Sequence, residues 1–236
     1  MINRILKYLW GIRKAHCTNY IRTHFSQFGE DIVLKELLKP SVKDGFYIDV
    51  GCYHPKKHSN TYALHKKGWS GINIDLEEDK ILLFNICRPN DHNVVCPISD
   101  IPEKVKIRRF SRFGLGSTIS NDQATASEEE VYDEWETESQ TLHQVINNSP
   151  YKERQVDLLT IDAEGMDYRI LKSIDFSVLK PSIILIEAYS LNIEEILASE
   201  TYLLLVSNGY VMRSWTFYTL FFVLPSASIL KDRESN

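Results

Sequence analysis

Apolar and polar positions follow two alternating periods along most of this chain. Residues 46–50, 71–76, 93–98, 156–161 and 183–186 are short apolar runs, which predict strands. Residues 59–67, 79–87, 168–174 and 193–207 space their apolar groups every three or four positions, which predicts helices. An earlier helix is expected to start with Ser26 as its N-cap, with Glu30 and Asp31 on its positive end. It should run to about Lys39, where Pro40 stops it. Residues 210–223 read as a closing pair of strands.

Strands that alternate with helices imply parallel pairing through right-handed crossovers. The runs Asp157-Leu158-Leu159-Thr160-Ile161 and Ser182-Ile183-Ile184-Leu185-Ile186 are apolar almost throughout, as strands covered on both faces are. The fold class is therefore α/β: a Rossmann-like, mostly parallel sheet with helices on both faces. Residues 215–224 sit where a final antiparallel strand would complete it.

Two segments depart from this rhythm. Residues 1–25 form a helical extension, with Ile2, Ile5, Leu6, Leu9 and Trp10 at helical spacing and Arg or Lys between them. Such a helix packs on its own domain or a second subunit, which allows a homodimer, or it lies on a membrane surface. Residues 26–236 are read as one domain carrying an insertion at 102–150 without a clear strand-helix unit. In it, Lys104, Lys106 and Arg108 alternate with Val105 and Ile107, a small strand with a basic face. Then come Gly114-Leu115-Gly116-Ser117-Thr118 and the acidic run Glu128-Glu129-Glu130. A long insertion in a small fold is usually functional or disordered. It is expected to be a mobile flap over the substrate, its acidic half equally well a solvated loop.

Composition narrows the function classes. The 236 residues are 43% hydrophobic and 25% charged, which is ordinary for a globular protein. A formal charge of -5 argues against a general nucleic-acid binder. Cys17, Cys52, Cys87 and Cys96 form no CxxC pair, so a zinc site is not expected. With no clean leader pattern and no apolar run long enough to span a bilayer, a cytoplasmic protein with free thiols is expected.

The candidate chemistry lies at the strand ends. Ligands of open parallel sheets bind beyond the carboxyl ends of the strands, where strand order switches. Four of these ends carry acids: Asp49 before Gly51, Asp75, then Asp162 with Glu164, and Glu187. A buried acid costs free energy unless it is paired, so four in register point to a site. Gly51 lets backbone approach a ligand, and Asp75 stands where an acid accepts hydrogen bonds from ribose hydroxyls. A dinucleotide turn needs Gly-x-Gly-x-x-Gly; here Gly51 is followed by Cys52, Tyr53, His54 and Pro55. Asp49 beside that turn suits a ligand with an ammonium and a sulfonium rather than two phosphates. A Walker loop is absent.

Five stretches, in this order, resemble the FkbM-type methyltransferases: Ser26-Gln27-Phe28-Gly29-Glu30-Asp31, Tyr47-Ile48-Asp49-Val50-Gly51, Ser59-Asn60-Thr61-Tyr62, Gly68-Trp69-Ser70-Gly71-Ile72-Asn73-Ile74-Asp75 and Ile161-Asp162-Ala163-Glu164-Gly165. The resemblance implies an S-adenosylmethionine-dependent O-methyltransferase on a seven-stranded sheet, acting on hydroxyls of sugars, surface polysaccharides or natural products. It implies that Asp49 and Gly51 line the methionine end, Asp75 holds the ribose, and Ser99 and Asp100 sit beside the adenine. By the same resemblance Gln27, Asp31, Asn60 and Thr61 approach the cofactor. The turn at Cys52-Tyr53-His54-Pro55 departs from the family pattern, which carries a small residue and often another glycine there.

A sugar hydroxyl is a weak nucleophile and needs a base or a metal. Asp162 is the first candidate base and His54 the second, with Glu187 beside them in the catalytic group. Asp162, Glu164 and Glu187 alternatively bind magnesium or another hard cation. The basic edge Lys104, Lys106, Arg108 and Arg109 suggests an anionic acceptor, for example a nucleotide-linked sugar. The rival readings are an NAD-dependent oxidoreductase and a non-catalytic Rossmann-like interaction protein.

Overall fold

The computed structural model describes residues 2–17, 22–110, 117–119, 131–190 and 192–231. The apolar runs become β1 (Phe46–Val50), β2 (Ser70–Asp75), β3 (His92–Val95), β7 (Leu158–Ile161) and β8 (Ile183–Glu187). The closing pair is β9 (Val211–Thr216) and β10 (Thr219–Val223). These seven form one sheet in the order β3-β2-β1-β7-β8-β10-β9. The first five are parallel; β10 runs antiparallel between β8 and β9. Strand order therefore reverses at β1, between β2 on one side and β7 on the other.

Successive residues of a strand face opposite sides, and both faces here are covered. Ile48, Val50, Leu159 and Ile184 belong to the larger core on one face. Tyr47, Leu158, Leu185 and Phe221 meet Leu34 and Trp69 on the other. The covering helices include α2 (Glu30–Leu37), α3 (Tyr62–His65), α4 (Glu78–Cys87) and α6 (Asp167–Lys172). The N-terminal helix α1 spans Ile2–Cys17.

Several local expectations need correction. Ser26 is not an N-cap: α2 starts at Glu30, and its N-cap position is Gly29 at φ 94. From outside the helix the Ser26 hydroxyl donates to the Asp31 carboxylate at 2.8 Å and accepts from the Asp31 amide of the first turn at 3.2 Å. The helix expected over 59–67 shortens to the single turn α3, because Ser59 and Thr61 are drawn into side-chain hydrogen bonds. The helix expected over 193–207 breaks into α7 (Ile193–Ala198) and α8 (Glu200–Ser207). Ser199 closes the first and caps the second, accepting from the Tyr202 amide at 3.2 Å.

The insertion holds more structure than its sequence suggests. β4 (Lys104–Arg109), β5 (Ser117–Ile119) and β6 (Asp133–Glu138) form an antiparallel sheet in the order β5-β4-β6. α5 (Leu142–Asn148) follows, opened by a capping box between Thr141 and Gln144. Val105, Ile107 and Ile119 face inward and join the larger core. The segments 111–116 and 120–130, with Gly114-Leu115-Gly116 and Glu128-Glu129-Glu130, lie outside the described residues. The basic face is neutralised by the strand beside it: Lys104 pairs with Glu136 at 2.7 Å, Lys106 with Glu134 at 2.5 Å, and Arg108 with Glu134 at 2.9 Å. Opposite charges placed across neighbouring strands satisfy each other, so this edge does not point to an anionic acceptor.

Candidate active site

A pocket opens at the point where strand order reverses. Its walls come from Val50 and Gly51 after β1, Ile74, Asp75 and Leu76 at the end of β2, and Asp162, Ala163 and Glu164 after β7. Cys96 and Ile98 follow β3, and Ile119 comes from the insertion. The lining is apolar along one side and acidic at the floor.

Gly51 makes the close approach that the site needs. Its φ is +78, and a Cβ there would lie 1.7 Å from the Asp162 carbonyl oxygen. The Gly51 and Cys52 amides both donate to the Ile74 carbonyl, at 2.9 and 3.1 Å, and the Asp162 amide donates to the Val50 carbonyl at 3.0 Å. These bonds draw the ends of β1, β2 and β7 together.

Asp75 is buried at the tip of β2. Its carboxylate accepts from the Tyr53 amide at 3.1 Å and the Glu77 amide at 3.0 Å. Lys80 reaches the same carboxylate at 3.6 Å and Glu77 at 2.9 Å. Burial raises the Asp75 pKa against the pull of Lys80. Burial alone would lower the Lys80 pKa, but Asp75 and Glu77 outweigh it and hold the ammonium charged. Arg109 of β4 closes on Glu77 at 3.2 Å, which ties the insertion to this loop.

At the floor the turn after β7 carries three acids, Asp162, Glu164 and Asp167, and Glu187 at the end of β8 is a fourth. Glu164 and Gly165 adopt φ 48 and 95. Asp167 staples the turn, accepting from the Ala163 amide at 2.9 Å and the Gly165 amide at 3.1 Å. Solvent reaches Asp162, yet protein crowds its carboxyl, and that desolvation together with Glu187 pushes its pKa well up. Glu164 is pushed to about 7 by desolvation, then Glu187 and Asp167. Asp167 is pushed to about 6, again mainly by desolvation. Among the described residues the buried Glu187 Oε2 meets no donor at full hydrogen-bond geometry, while the Glu187 carboxyl neighbours Asp162 and the Tyr189 hydroxyl. Among the described residues, no group of three or more His, Cys, Asp or Glu side chains is arranged to hold a metal ion. The magnesium alternative for Asp162, Glu164 and Glu187 thus finds no support in the donor geometry.

The remaining sequence candidates lie around the pocket rather than on its walls. Asp49 points to the opposite face of the sheet and accepts from the Thr61 hydroxyl at 2.7 Å. Burial raises its pKa to about 6. Arg88, fully buried, donates to the Thr61 hydroxyl at 2.8 Å and to the Ser59 hydroxyl at 2.9 Å. Asn60 donates to the Thr160 hydroxyl at 3.3 Å. His54 folds back on its own loop, where Nδ1 accepts from the Lys56 and Lys57 amides, each at 3.0 Å. Burial and the neighbouring lysines lower its pKa. The Ser99 hydroxyl donates to Asp100 and Glu103, each at 3.2 Å, and Asp100 pairs with Arg169 at 2.5 Å. Gln27 is exposed, while Asp31 is buried and accepts from the Phe25 amide at 2.9 Å.

Sequence reading missed Lys80, Arg88, Glu77 and Tyr189, whose hydroxyl stands beside Glu187 and Glu164. A single lysine following Glu77-Glu78-Asp79 on a predicted helix was the available signal for Lys80. Nothing in the sequence sets Arg88 apart from a surface arginine at a helix end.

The pocket fits S-adenosylmethionine. Apolar walls at Leu76, Ile98 and Ile119 suit a purine, Asp75 suits a ribose diol, and the acidic floor suits a cation. A dinucleotide lacks its anchor here, because the next helix after β1 is α3, four residues long and starting only at Tyr62. The chain is similar in fold to a TehB-like SAM-dependent methyltransferase from Corynebacterium glutamicum, at 13% identity and TM-score 0.42, over 94% of this chain and 97% of that one. It is also similar to a precorrin-6y C5,15-methyltransferase from Geobacter metallireducens, at 10% identity and TM-score 0.41, over 87% of this chain and 93% of that one. A search of curated proteins finds no match. The model of the methyltransferase FkbM domain matches residues 49–212, a span that runs from the end of β1 through β2, β7 and the acidic floor. This chain belongs to the FkbM methyltransferase family.

Proposed function

We propose that this protein methylates a hydroxyl of a sugar or glycan-type acceptor, with Asp162 as the base. One observation carries the reading: Asp162 and Glu187 face each other at the floor, and among the described residues the buried Glu187 Oε2 meets no donor at full hydrogen-bond geometry, the Tyr189 hydroxyl being its neighbour. An unmet buried acceptor costs about 1–3 kcal/mol, and a hydroxyl is a donor of the right kind to meet it. S-adenosylmethionine, when bound, supplies an electrophilic methyl group on a cationic sulfur.

The chain's own residues do the rest. Asp75 accepts from the ribose hydroxyls while Lys80, 3.6 Å away, favours the ionised form of that carboxylate. Gly51 gives the ligand backbone to rest on. Glu187 accepts from the acceptor hydroxyl and holds it, and Asp162 takes the proton as the oxygen attacks. Once ionised, as the cationic sulfonium beside it favours, a carboxyl with a raised pKa is a stronger base than an ordinary one, and such proton transfer contributes about 10²–10⁴-fold. His54 is the weaker candidate, since its Nδ1 is already engaged by two amides. Asp49, Thr61 and Arg88 support the floor of the cofactor site from behind the sheet.

The test is a labelled methyl-transfer screen against nucleotide sugars and glycan fragments, with and without chelator. Label on a hydroxyl, chelator-insensitive and lost in Asp162→Asn, is the expected result. S-adenosylhomocysteine should raise the melting temperature, as any ligand selective for the native state does. Stabilisation by the cofactor product without labelled sugar, but with label on a nitrogen or carbon acceptor, would overturn the hydroxyl assignment. No stabilisation at saturating ligand would remove the cofactor site and favour the non-catalytic reading.

A further inference from the structure

We infer that α1 is a docking surface for an anionic lipid membrane. The helix runs from Ile2 to Cys17 and contains Arg4, Lys7, Arg13 and Lys14 with no acid. In the whole chain acids outnumber cations 32 to 27, so this is a local reversal of charge. From residue 3 to residue 15, every side chain is exposed apart from Gly11. Ile5 is 54% exposed, Leu6 57%, Leu9 55% and Trp10 63%, values that no packed helix face shows.

The order of residues around the helix says what covers this face. At about 100° per residue, Tyr8, Ile12, Ile5, Leu9, Leu6 and Trp10 follow one another in a single arc of about 200°. Lys14, Lys7 and Arg4 fill the arc opposite. Tyr8 and Trp10 stand at the two edges of the apolar arc, where it meets the polar one. An aromatic ring with one polar atom at each edge matches the headgroup level of a bilayer, where one side is apolar and the other wet. The Lys14 ammonium lies 4.8 Å from the centre of the Trp10 ring, so its charge stays at that same edge. Arg13 and His16 also fall within the apolar arc, and the long stem of Arg13 lets its guanidinium reach the interface. A second copy of α1 fits less well, because two acid-free helices bring cations against cations. No helix among the described residues is long and apolar enough to cross a membrane, so this contact lies in the plane of the surface.

The experiment is co-sedimentation of the full chain with vesicles of phosphatidylcholine alone and of phosphatidylcholine mixed with phosphatidylglycerol. The mixed vesicles should bind at least about tenfold more protein, since each cation near an anionic surface adds to the affinity. Added salt should weaken that preference. The triple variant Arg4→Gln, Lys7→Gln, Lys14→Gln should lose it. Leu6→Glu with Leu9→Glu should abolish binding to both vesicle types while leaving the melting temperature of the body unchanged. Binding should shift tryptophan emission to the blue, and Trp10→Phe should remove the shift. Equal pelleting with both vesicle types, no pelleting, or an unaffected triple variant would overturn the inference. So would a concentration-dependent dimer in lipid-free buffer that Leu6→Glu with Leu9→Glu dissolves, since a second copy would then be the occupant.

Discussion

At the scale of single residues, the site trades stability for chemistry. Gly51 has the least latitude. A methyl group there meets the Asp162 carbonyl, and its φ of +78 disfavours any other L-residue. Gly51→Ala should cost about 3 kcal/mol from strain and overpacking together. It should also abolish stabilisation by S-adenosylhomocysteine; a denaturant melt with and without ligand measures both. Asp75→Ala removes the proposed ribose acceptor and frees the Tyr53 and Glu77 amides it holds. Calorimetric titration should show at least about tenfold weaker binding of S-adenosylhomocysteine, the value of one charge-assisted hydrogen bond. Affinity within twofold of the parent would remove Asp75 from that role. These residues were legible early, because an acid or a glycine directly after an apolar run is visible in sequence. Arg88 was not, since its burial depends on Ser59, Thr61 and Asn73, which the chain brings to it only on folding.

At the scale of elements, periodicity identified the strands of the large sheet and most of its helices. It failed where a side chain redirected the backbone locally. Ser199 breaks a continuous apolar pattern because its hydroxyl offers a fresh cap. Ser199→Ala should therefore destabilise α8 by about 1 kcal/mol, a shift readable in urea melts. It failed again in the insertion. β6 reads Asp133-Glu134-Trp135-Glu136-Thr137-Glu138, with a single strongly apolar group, and is placed by its ladder with β4, by Trp135 on the larger core and by cross-strand ion pairs. The expectation of a flap therefore needs a sharper form. Ile107 is fully buried in the same core as Ile48 and Leu159. Ile107→Ala should cost about 2–5 kcal/mol of global stability if the small sheet is part of the cooperative unit. A change below about 0.5 kcal/mol, the range of ordinary surface substitutions, would show it unfolding separately.

At the scale of the whole molecule, one face of the sheet's switch point concentrates negative charge in a poorly solvated space, and pH should set both stability and ligand binding. Glu164 ionises at about 7 and Asp167 at about 6 in the folded chain, above the values of 4.5 and 3.8 for free groups. Asp162 is also raised well above its ordinary value, by desolvation and by Glu187. The other charges around this floor are Asp75 and Lys80, which pair with each other, and the hydroxyl of Tyr189, held protonated by burial and the acids beside it. A carboxyl whose folded pKa is raised binds more protons in the native than in the unfolded state. Its contribution therefore lowers stability as pH rises from about 4 to about 7, and the penalty is full above that window. Asp162→Asn removes part of this repulsion. It should melt above the parent at pH 8 while transferring methyl groups at least about 10²-fold more slowly. A bound sulfonium reverses the trend for the ligand, because a cation stabilises ionised carboxylates. The affinity for S-adenosylmethionine relative to S-adenosylhomocysteine, which lacks the sulfonium charge, should rise through pH 6–7 and then level. Titrations of both ligands across that range decide the point. A ratio independent of pH would place the sulfur away from Glu164 and Asp167, and with it the reacting methyl group away from Asp162.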